Sequence, residues 1–169
     1  MHFRGADRRP RLPQDVSFDV RHADGAADYA FVRDLGRSSV MSSVGDLRQT
    51  TPALAIAAFD RLDEIVKAQS HAAFIATEEG RRVGFALLLD ELPDEVTLTD
   101  QGFLAYMAVI PDRQGAGVGT VLLAAAEDEA RRRGLPYMAL MVTEENAVAR
   151  RLYERAGYRT ERRLLCKAL

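Results

Sequence analysis

The stretch from Gly102 to Gly134 constrains this chain more tightly than any other. Gly102 to Ile110 is apolar on both sides, with Phe103, Ala105, Met107 and Val109 set against Leu104, Tyr106 and Ala108. Such a strand belongs in the middle of a sheet covered on both faces. Pro111 ends it, and Gln114-Gly115-Ala116-Gly117-Val118-Gly119-Thr120 leads into an amphipathic helix over Gly117 to Arg133. Val118, Val121, Leu122 and Ala125 share one helical face, and Gly134 stands at the C′ position that favours a left-handed residue. Glu127, Asp128 and Glu129 precede Arg131, Arg132 and Arg133, which sets cations at the negative end of the helix dipole. At the other end the first N–H groups lack intrahelical partners and carry the positive end of that dipole. Glycines at 115, 117 and 119 remove the Cβ atoms that would hold an anion away, so the turn suits a phosphate or diphosphate. A tight strand-to-helix turn without a ligand would use the same residues. Two nucleotide motifs fail on spacing. Gly119 runs straight into Thr120 without the lysine of a Walker A loop. The third glycine of a G-x-G-x-x-G fingerprint would fall on Thr120 or Leu122.

The remaining segments fill out an order β-α-α-β-β-β-α-β-α-β-β. Val16 to Arg21 alternates as a strand, and Asp24 stands at the N-cap of a helix whose stripe Tyr29, Phe31, Val32 and Leu35 ends at Gly36. Arg37 to Thr51 is rich in Ser, Thr and Gly and reads as a loop. Pro52 opens a second helix to about Gln69, with Leu54, Ala58, Leu62, Ile65 and Val66 expected inward. Ala72 to Thr77 and Val83 to Leu89 form a hairpin around Glu79-Gly80-Arg81. Leu135 to Thr143 is a strand, Asn146 to Ala156 a helix closed by Gly157, and Tyr158 to Ala168 a terminal pair of short strands. The fold class is mixed α/β. Residues 16–169 form one domain, and residues 1–15 form a loosely attached tail, basic through Arg4, Arg8, Arg9 and Arg11.

Composition removes several classes of function. A formal charge of -2 lacks the basic excess of a nucleic-acid binder. The lone Cys166 permits no intrachain disulfide and no thiolate zinc cluster, and it reads as a packing residue. His2, His22 and His71 are too scattered to hold a metal. No segment reads as a secretory signal or a membrane span, so the expectation is a soluble cytoplasmic protein.

Gln114-Gly-Ala-Gly117-Val-Gly119, following a strand that ends Met107-Ala-Val-Ile-Pro111, resembles the Q/R-x-x-G-x-G/A signature of the GNAT superfamily of acyl-CoA-dependent N-acyltransferases. Asn146-Ala-Val-Ala-Arg-Arg-Leu-Tyr153-Glu-Arg-Ala-Gly157-Tyr158 is similar to that family's second signature, N-x-x-A-x-x-L/F-Y-x-x-x-G-F/Y. The close match runs from Phe103 to Leu169. It implies a GNAT-like fold: a mixed, mostly antiparallel sheet whose middle strands, Phe103–Ile110 and Leu135–Thr143, splay apart. It also implies acetyl-CoA as cosubstrate and no metal. The pantetheine arm would lie in the gap along Met107, Ala108 and Val109, and the diphosphate on the amides of Gln114, Gly115, Ala116, Gly117, Val118, Gly119 and Thr120. Tyr153 matches the tyrosine that protonates or hydrogen-bonds the departing thiolate, and its other reading is a core aromatic. Asn146 would contact the pantetheine, or serve only as a helix N-cap.

The implied reaction moves acetyl to a primary amine of a small molecule, peptide or protein, by direct attack on the thioester. Alternatives are a longer acyl donor, allowed by the small residues Ala105 and Ala108, and a silent CoA-sensing domain. The attacking amine must be neutral, yet Phe103 to Ala108 carries no carboxylate to deprotonate it. The candidate bases are Glu91, Asp100, Glu144, Glu145, or a water beside Tyr106. The acidic run Asp90 to Asp100 would attract a cationic amine or simply be a solvated loop. Gly36 to Thr51 is a candidate acceptor lid. A homodimer fits the resemblance, since many members of the family are dimers.

Overall fold

A computed structural model describes residues 17–169, so the basic tail, His2 and the start of the first expected strand lie outside the described residues. The elements are β1 (Asp19–His22), α1 (Gly25–Ser39), α2 (Pro52–Lys67), β2 (His71–Glu78), β3 (Arg81–Leu89), β4 (Gly102–Val109), α3 (Val118–Arg132), β5 (Met138–Leu140) and α4 (Ala147–Arg155). The strands lie in the order β1-β2-β3-β4-β5, antiparallel except for the parallel pair β4–β5. No helix of the described residues is long and apolar enough to cross a membrane.

The sheet divides two apolar clusters. On one face α1 and α2 cover Ile75, Phe85, Leu87 and Leu89 with Val32, Leu35, Phe59 and Val66. On the other α3 covers Phe74, Ala86, Leu88 and Leu104 with Val118, Leu122, Leu123 and Ala126. The hairpin β2–β3, buried on both faces, is the covered centre of the sheet; its turn residues Glu79 and Gly80 have φ of 49° and 81°, as a tight two-residue hairpin requires. β4 was expected in that central place. It lies one strand from the edge and is half-buried at Ala105, Tyr106, Met107 and Val109.

Several expectations need correction. Gly36 does not end α1; the helix runs on to Ser39 and continues as a 3-10 turn through Ser43. The glycine is needed because a Cβ there would sit 1.8 Å from Phe59 Cζ, so the ring of α2 fills the notch. α2 is rotated from the expected face: Ala55, Phe59, Asp63 and Val66 are buried, whereas Leu54 and Ile65 are 64% and 41% exposed. Phe59 makes the difference, because packing the large ring into the notch of α1 removes more apolar surface than turning Leu54 inward. The strand expected over Leu135 to Thr143 shrinks to Met138–Leu140. The two terminal strands are not formed: residues beyond Gly157 take no regular structure, and Cys166 is exposed rather than packed.

One buried charge joins both ends of this framework. Asp28 of α1 is fully buried and accepts from Arg21 of β1, from Arg82 Nε of β3 at 2.6 Å and from the Asp24 N–H at 2.8 Å. Those donors, the Arg21 guanidinium first, hold its carboxyl well below the usual carboxylate range against the opposing effect of burial. Replacing Asp28 with Ala is expected to cost about 2–4 kcal/mol in denaturant unfolding. The lower end of that range allows for Arg21 and Arg82, which remain 46% and 36% exposed. A depressed carboxylate stabilises above its unfolded pKa, so the gap between wild type and Asp28→Asn should be full at neutral pH. It should close as pH falls below about 4. A difference that stays constant on acidification would contradict the assignment.

Candidate functional site

β4 and β5 are paired only from Gly102–Met138 to Leu104–Leu140. A bulge between Leu87 and Leu88 of β3, opposite Tyr106 and Leu104, falls at the point where that pairing stops. A bulge adds a residue and sharpens the local twist, which turns the rest of β4 away from its parallel neighbour. Beyond it, the Ile110 N–H donates to the Val83 carbonyl at 3.0 Å. Val109–Gly84 and Met107–Ala86 are therefore the non-hydrogen-bonded pairs of the β3–β4 ladder. The N–H and C=O groups of Met107 and Val109 point from β4 into the gap. The Val109 carbonyl accepts from Gln114 Nε2 at 3.3 Å, which bends the following turn back over the strand end.

That turn is braced from outside. Arg113 Nε donates to Glu78 at 2.6 Å, and Arg81 pairs with Asp112 at 3.0 Å, so the hairpin β2–β3 holds the segment Pro111–Arg113 in place. Glu78 and Asp112 thereby take up Arg113, the one cation of the turn. The glycines divide their work. Gly115 and Gly117 have φ of 79° and 98°, and a Cβ at either would meet nothing within 4 Å. They give the left-handed backbone that bends the chain, and open space lies over them. Gly117 caps α3 without a side chain, so the N–H groups of Val118 and Gly119 face outward at the positive helix end. Gly119 differs: its Cβ would lie 3.0 Å from Leu152 Cδ2 and 3.8 Å from Met107 Cε. It lets α4 approach the start of α3.

α4 carries Tyr153 to the α3 side of the sheet, where it packs against the same apolar cluster as Met107, Val109 and Leu152. Tyr158 meets it edge-on at 5.8 Å between centroids. Burial raises the Tyr153 phenol above its ordinary value because the phenolate loses hydration. Tyr158, unsuspected in the sequence, is raised too, by burial first and by Glu127 second. Asn146 is the N-cap of α4, its side-chain oxygen accepting from the Ala149 N–H at 3.1 Å.

On the opposite face the mouth of the gap is closed by the end of α1 and the turn after it. Tyr106, packed between Phe59 and Phe85, meets Ser39 Oγ at 3.2 Å, and the Thr143 hydroxyl donates to the Ser43 carbonyl at 2.7 Å. The acidic run fares less well as an attractor of amines. Asp90 pairs with Arg133 and accepts from Ser70 at 3.0 Å. Asp94 accepts from the Val96 and Thr97 N–H groups, the Thr97 hydroxyl and Arg162 at 2.7 Å. The Thr97 donors hold its carboxyl well below the carboxylate range. Both charges serve the connection itself.

Residues 44–158, more than half of the chain, match the sequence profile described as "Acetyltransferase (GNAT) family". A mycothiol acetyltransferase of Thermomonospora curvata is 38% identical over 85 residues, 50% of this chain and 27% of that protein. The [ribosomal protein bS18]-alanine N-acetyltransferase of Escherichia coli (strain K12) is 36% identical over 85 residues, 50% of this chain and 53% of that enzyme. The matched region thus spans about half, or less, of these relatives. The fold is similar to that of an aminoglycoside N-acetyltransferase solved with a CoA bisubstrate analog. The TM-score is 0.65 at 22% identity, over 90% of this chain and 98% of that one. The mixed five-stranded sheet with its covering helices, the glycine turn and the profile match agree: this chain belongs to the acetyltransferase (GNAT) family.

Proposed function

We propose that the chain transfers acetyl from acetyl-CoA to a primary amine of a small molecule or peptide, by direct attack of the amine on the thioester. One observation carries this reading. The inward-facing backbone of Met107 and Val109 lines a gap between strands that leads to a turn with two left-handed glycines and an uncapped helix start. A pantetheine arm presents amides, which complete a strand edge, and a diphosphate suits free N–H groups at a helix N-terminus. In this reading the diphosphate rests on the turn from Gln114 to Thr120, chiefly on the Gly115, Gly117, Val118 and Gly119 amides, since those of Gln114, Ala116 and Thr120 donate to the Pro111, Arg113 and Gly117 carbonyls. The arm runs along Met107, Ala108 and Val109, with the Asn146 amide NH2 as a further donor, since only its oxygen is used by the cap.

The thioester carbon then lies near the Val109 N–H, which is aimed into the gap and stabilises the oxyanion formed on attack. A C–N bond forms, the C–S bond breaks, and the amine's proton passes to a water beside Tyr106 or to one of the carboxylates Glu91, Asp100, Glu144 and Glu145. The thiolate leaves toward the Tyr153 phenol, which donates a hydrogen bond or its proton. A phenol held above its ordinary pKa of about 10 is protonated throughout the neutral range, so the donor is always loaded. Among the relatives, the name of the Escherichia coli enzyme specifies N-acetylation of an alanine of a ribosomal protein, an amine acceptor of the kind proposed here.

CoA at a hundred times its Kd is expected to stabilise the protein by about 2.7 kcal/mol in thermal unfolding, and a null result with both CoA and acetyl-CoA overturns the reading. Gly117→Val should weaken CoA binding at least ten-fold in calorimetry, because a branched side chain crowds the amides and resists a φ of 98°. Unchanged affinity would move the diphosphate elsewhere. Tyr153→Phe should leave CoA affinity intact and lower kcat for thiol release by about 10²-fold or more. Full activity would end its assignment as the acid, and a wild type that binds CoA but releases no thiol with any amine would favour a sensing domain.

A further inference from the structure

We infer that Tyr158 is a positioning residue: its ring, locked in place by the C-terminal cap of α4, holds the Tyr153 phenol in the orientation from which it serves the leaving thiolate. The inference rests on the acetyl-transfer reading and names what fixes the proposed donor. Tyr153 lies near the end of a nine-residue helix that buries none of its residues fully. A helix this short is held by its ends and its tertiary contacts more than by its own hydrogen bonds.

The end of α4 is closed by two bonds. The Gly157 N–H donates to the Glu154 carbonyl at 3.1 Å, and the Tyr158 N–H donates to the Tyr153 carbonyl at 3.0 Å. This is the bond pattern of a Schellman motif, which needs a left-handed residue just past the helix. Gly157 supplies it at φ 94°. The motif draws the side chains of its first and last residues together across the turn. Here those residues are Tyr153 and Tyr158, and their rings meet edge to face, with 5.8 Å between centroids and 62° between planes. Tyr158 is thus tied to Tyr153 by main chain and by ring, and both pack on the α3 cluster. The Tyr158 hydroxyl takes no part: it is buried and makes no hydrogen bond with any described residue. What Tyr158 contributes is a flat, rigid ring. An edge-to-face contact has a preferred geometry that an aliphatic side chain lacks, and a donor fixed in advance need not reorient as charge grows on sulfur.

The test is a double-mutant cycle of Tyr158→Leu with Tyr153→Phe, read as kcat for thiol release from acetyl-CoA to a peptide beginning with alanine, with CoA affinity measured by calorimetry. Tyr158→Leu should lower kcat about ten-fold or more and leave CoA affinity within about two-fold of wild type. Tyr158→Phe, which keeps the ring, should match wild type within about two-fold in both. In the Tyr153→Phe background Tyr158→Leu should cost no further activity, because the phenol that it positions is gone. Equal losses in both backgrounds mark a general prop of the fold and overturn the inference, as does full activity in Tyr158→Leu or a loss in Tyr158→Phe as large as in Tyr158→Leu. Tyr158→Met replaces the leucine variant if that one does not fold, and failure of both to fold overturns the inference in the same way. NMR of ring-labelled tyrosine in the CoA complex reads the same point without turnover, and it decides alone if the peptide is not an acceptor. The Tyr153 ring-flip rate should rise about ten-fold or more in the aliphatic variant and stay near wild type in Tyr158→Phe; an unchanged rate overturns the inference. Wild type that fails to bind CoA overturns the acetyl-transfer reading itself, whereas Tyr153→Phe that binds CoA and keeps full activity overturns only the part given to the phenol and to Tyr158.

Discussion

Beyond Leu104 the outer edge of β4 has no strand beside it, and an unpaired edge inside a fold leaves donors and acceptors that need partners. Most sheets avoid this by covering or shortening such an edge. Here the exposure is built in from three directions. The bulge at Ala105 turns β4, the short β5 ends at Leu140, and α4 seats Leu152 against Gly119 at the start of α3. The remaining features of the site follow from that separation. The glycine turn is where the gap ends, Tyr153 is carried to its α3 side by α4, and the end of α1 with the turn after it spans its other mouth.

The charges of the molecule are arranged to keep this geometry rigid. Asp28 ties β1, α1 and β3 together, Arg37 of α1 binds Asp60 of α2 at 2.7 Å, and Arg113 locks the glycine turn to β2. Glu129, buried on α3, takes Arg132 and Arg133, and Arg133 also reaches Asp90. Most of these pairs join different elements and have at least one partly shielded partner, which is where an ion pair contributes more than it does in open water. The acidic connection after β3 illustrates the consequence: composition suggested an attractor for amines, but Asp90 and Asp94 are internal ties.

How much of this was legible depended on the range of the interaction. Local chemistry read well: the hairpin turn at Glu79-Gly80, Pro52 at the start of α2 and Asn146 as a cap each follow from residues within one turn of the chain. Two other glycines carried no such local cause. Gly36 looked like a helix stop, and the contact of Gly119 with α4 was not foreseen, because both close approaches involve residues distant in sequence, Phe59 and Leu152. The same distance misplaced the inner face of α2, whose rotation is set by where the Phe59 ring finds room. The alternation from Tyr158 to Ala168 suggested strands, but alternation supplies only a face. β5 offers three residues of edge, Gly157 at φ 94° redirects the chain, and Arg162 anchors it to Asp94 instead.

The burial of Tyr153 sets two requirements against each other. Taking the phenol out of water raises its pKa, which guarantees a proton but makes that proton harder to surrender to a thiolate whose own pKa is near about 8.5. Transfer to a free thiolate is uphill on those values, so in the proposed reaction the phenol would contribute most as a hydrogen-bond donor while negative charge is still growing on sulfur. A donor used in that way must be fixed in advance, since reorientation during bond cleavage would cost what the contact provides. The Tyr158 ring just past the end of α4 and the Leu152–Gly119 contact within it supply that fixity. Placement of the proposed donor thus depends on how α4 seats on the start of α3, and a change that loosens that contact is expected to disturb the phenol.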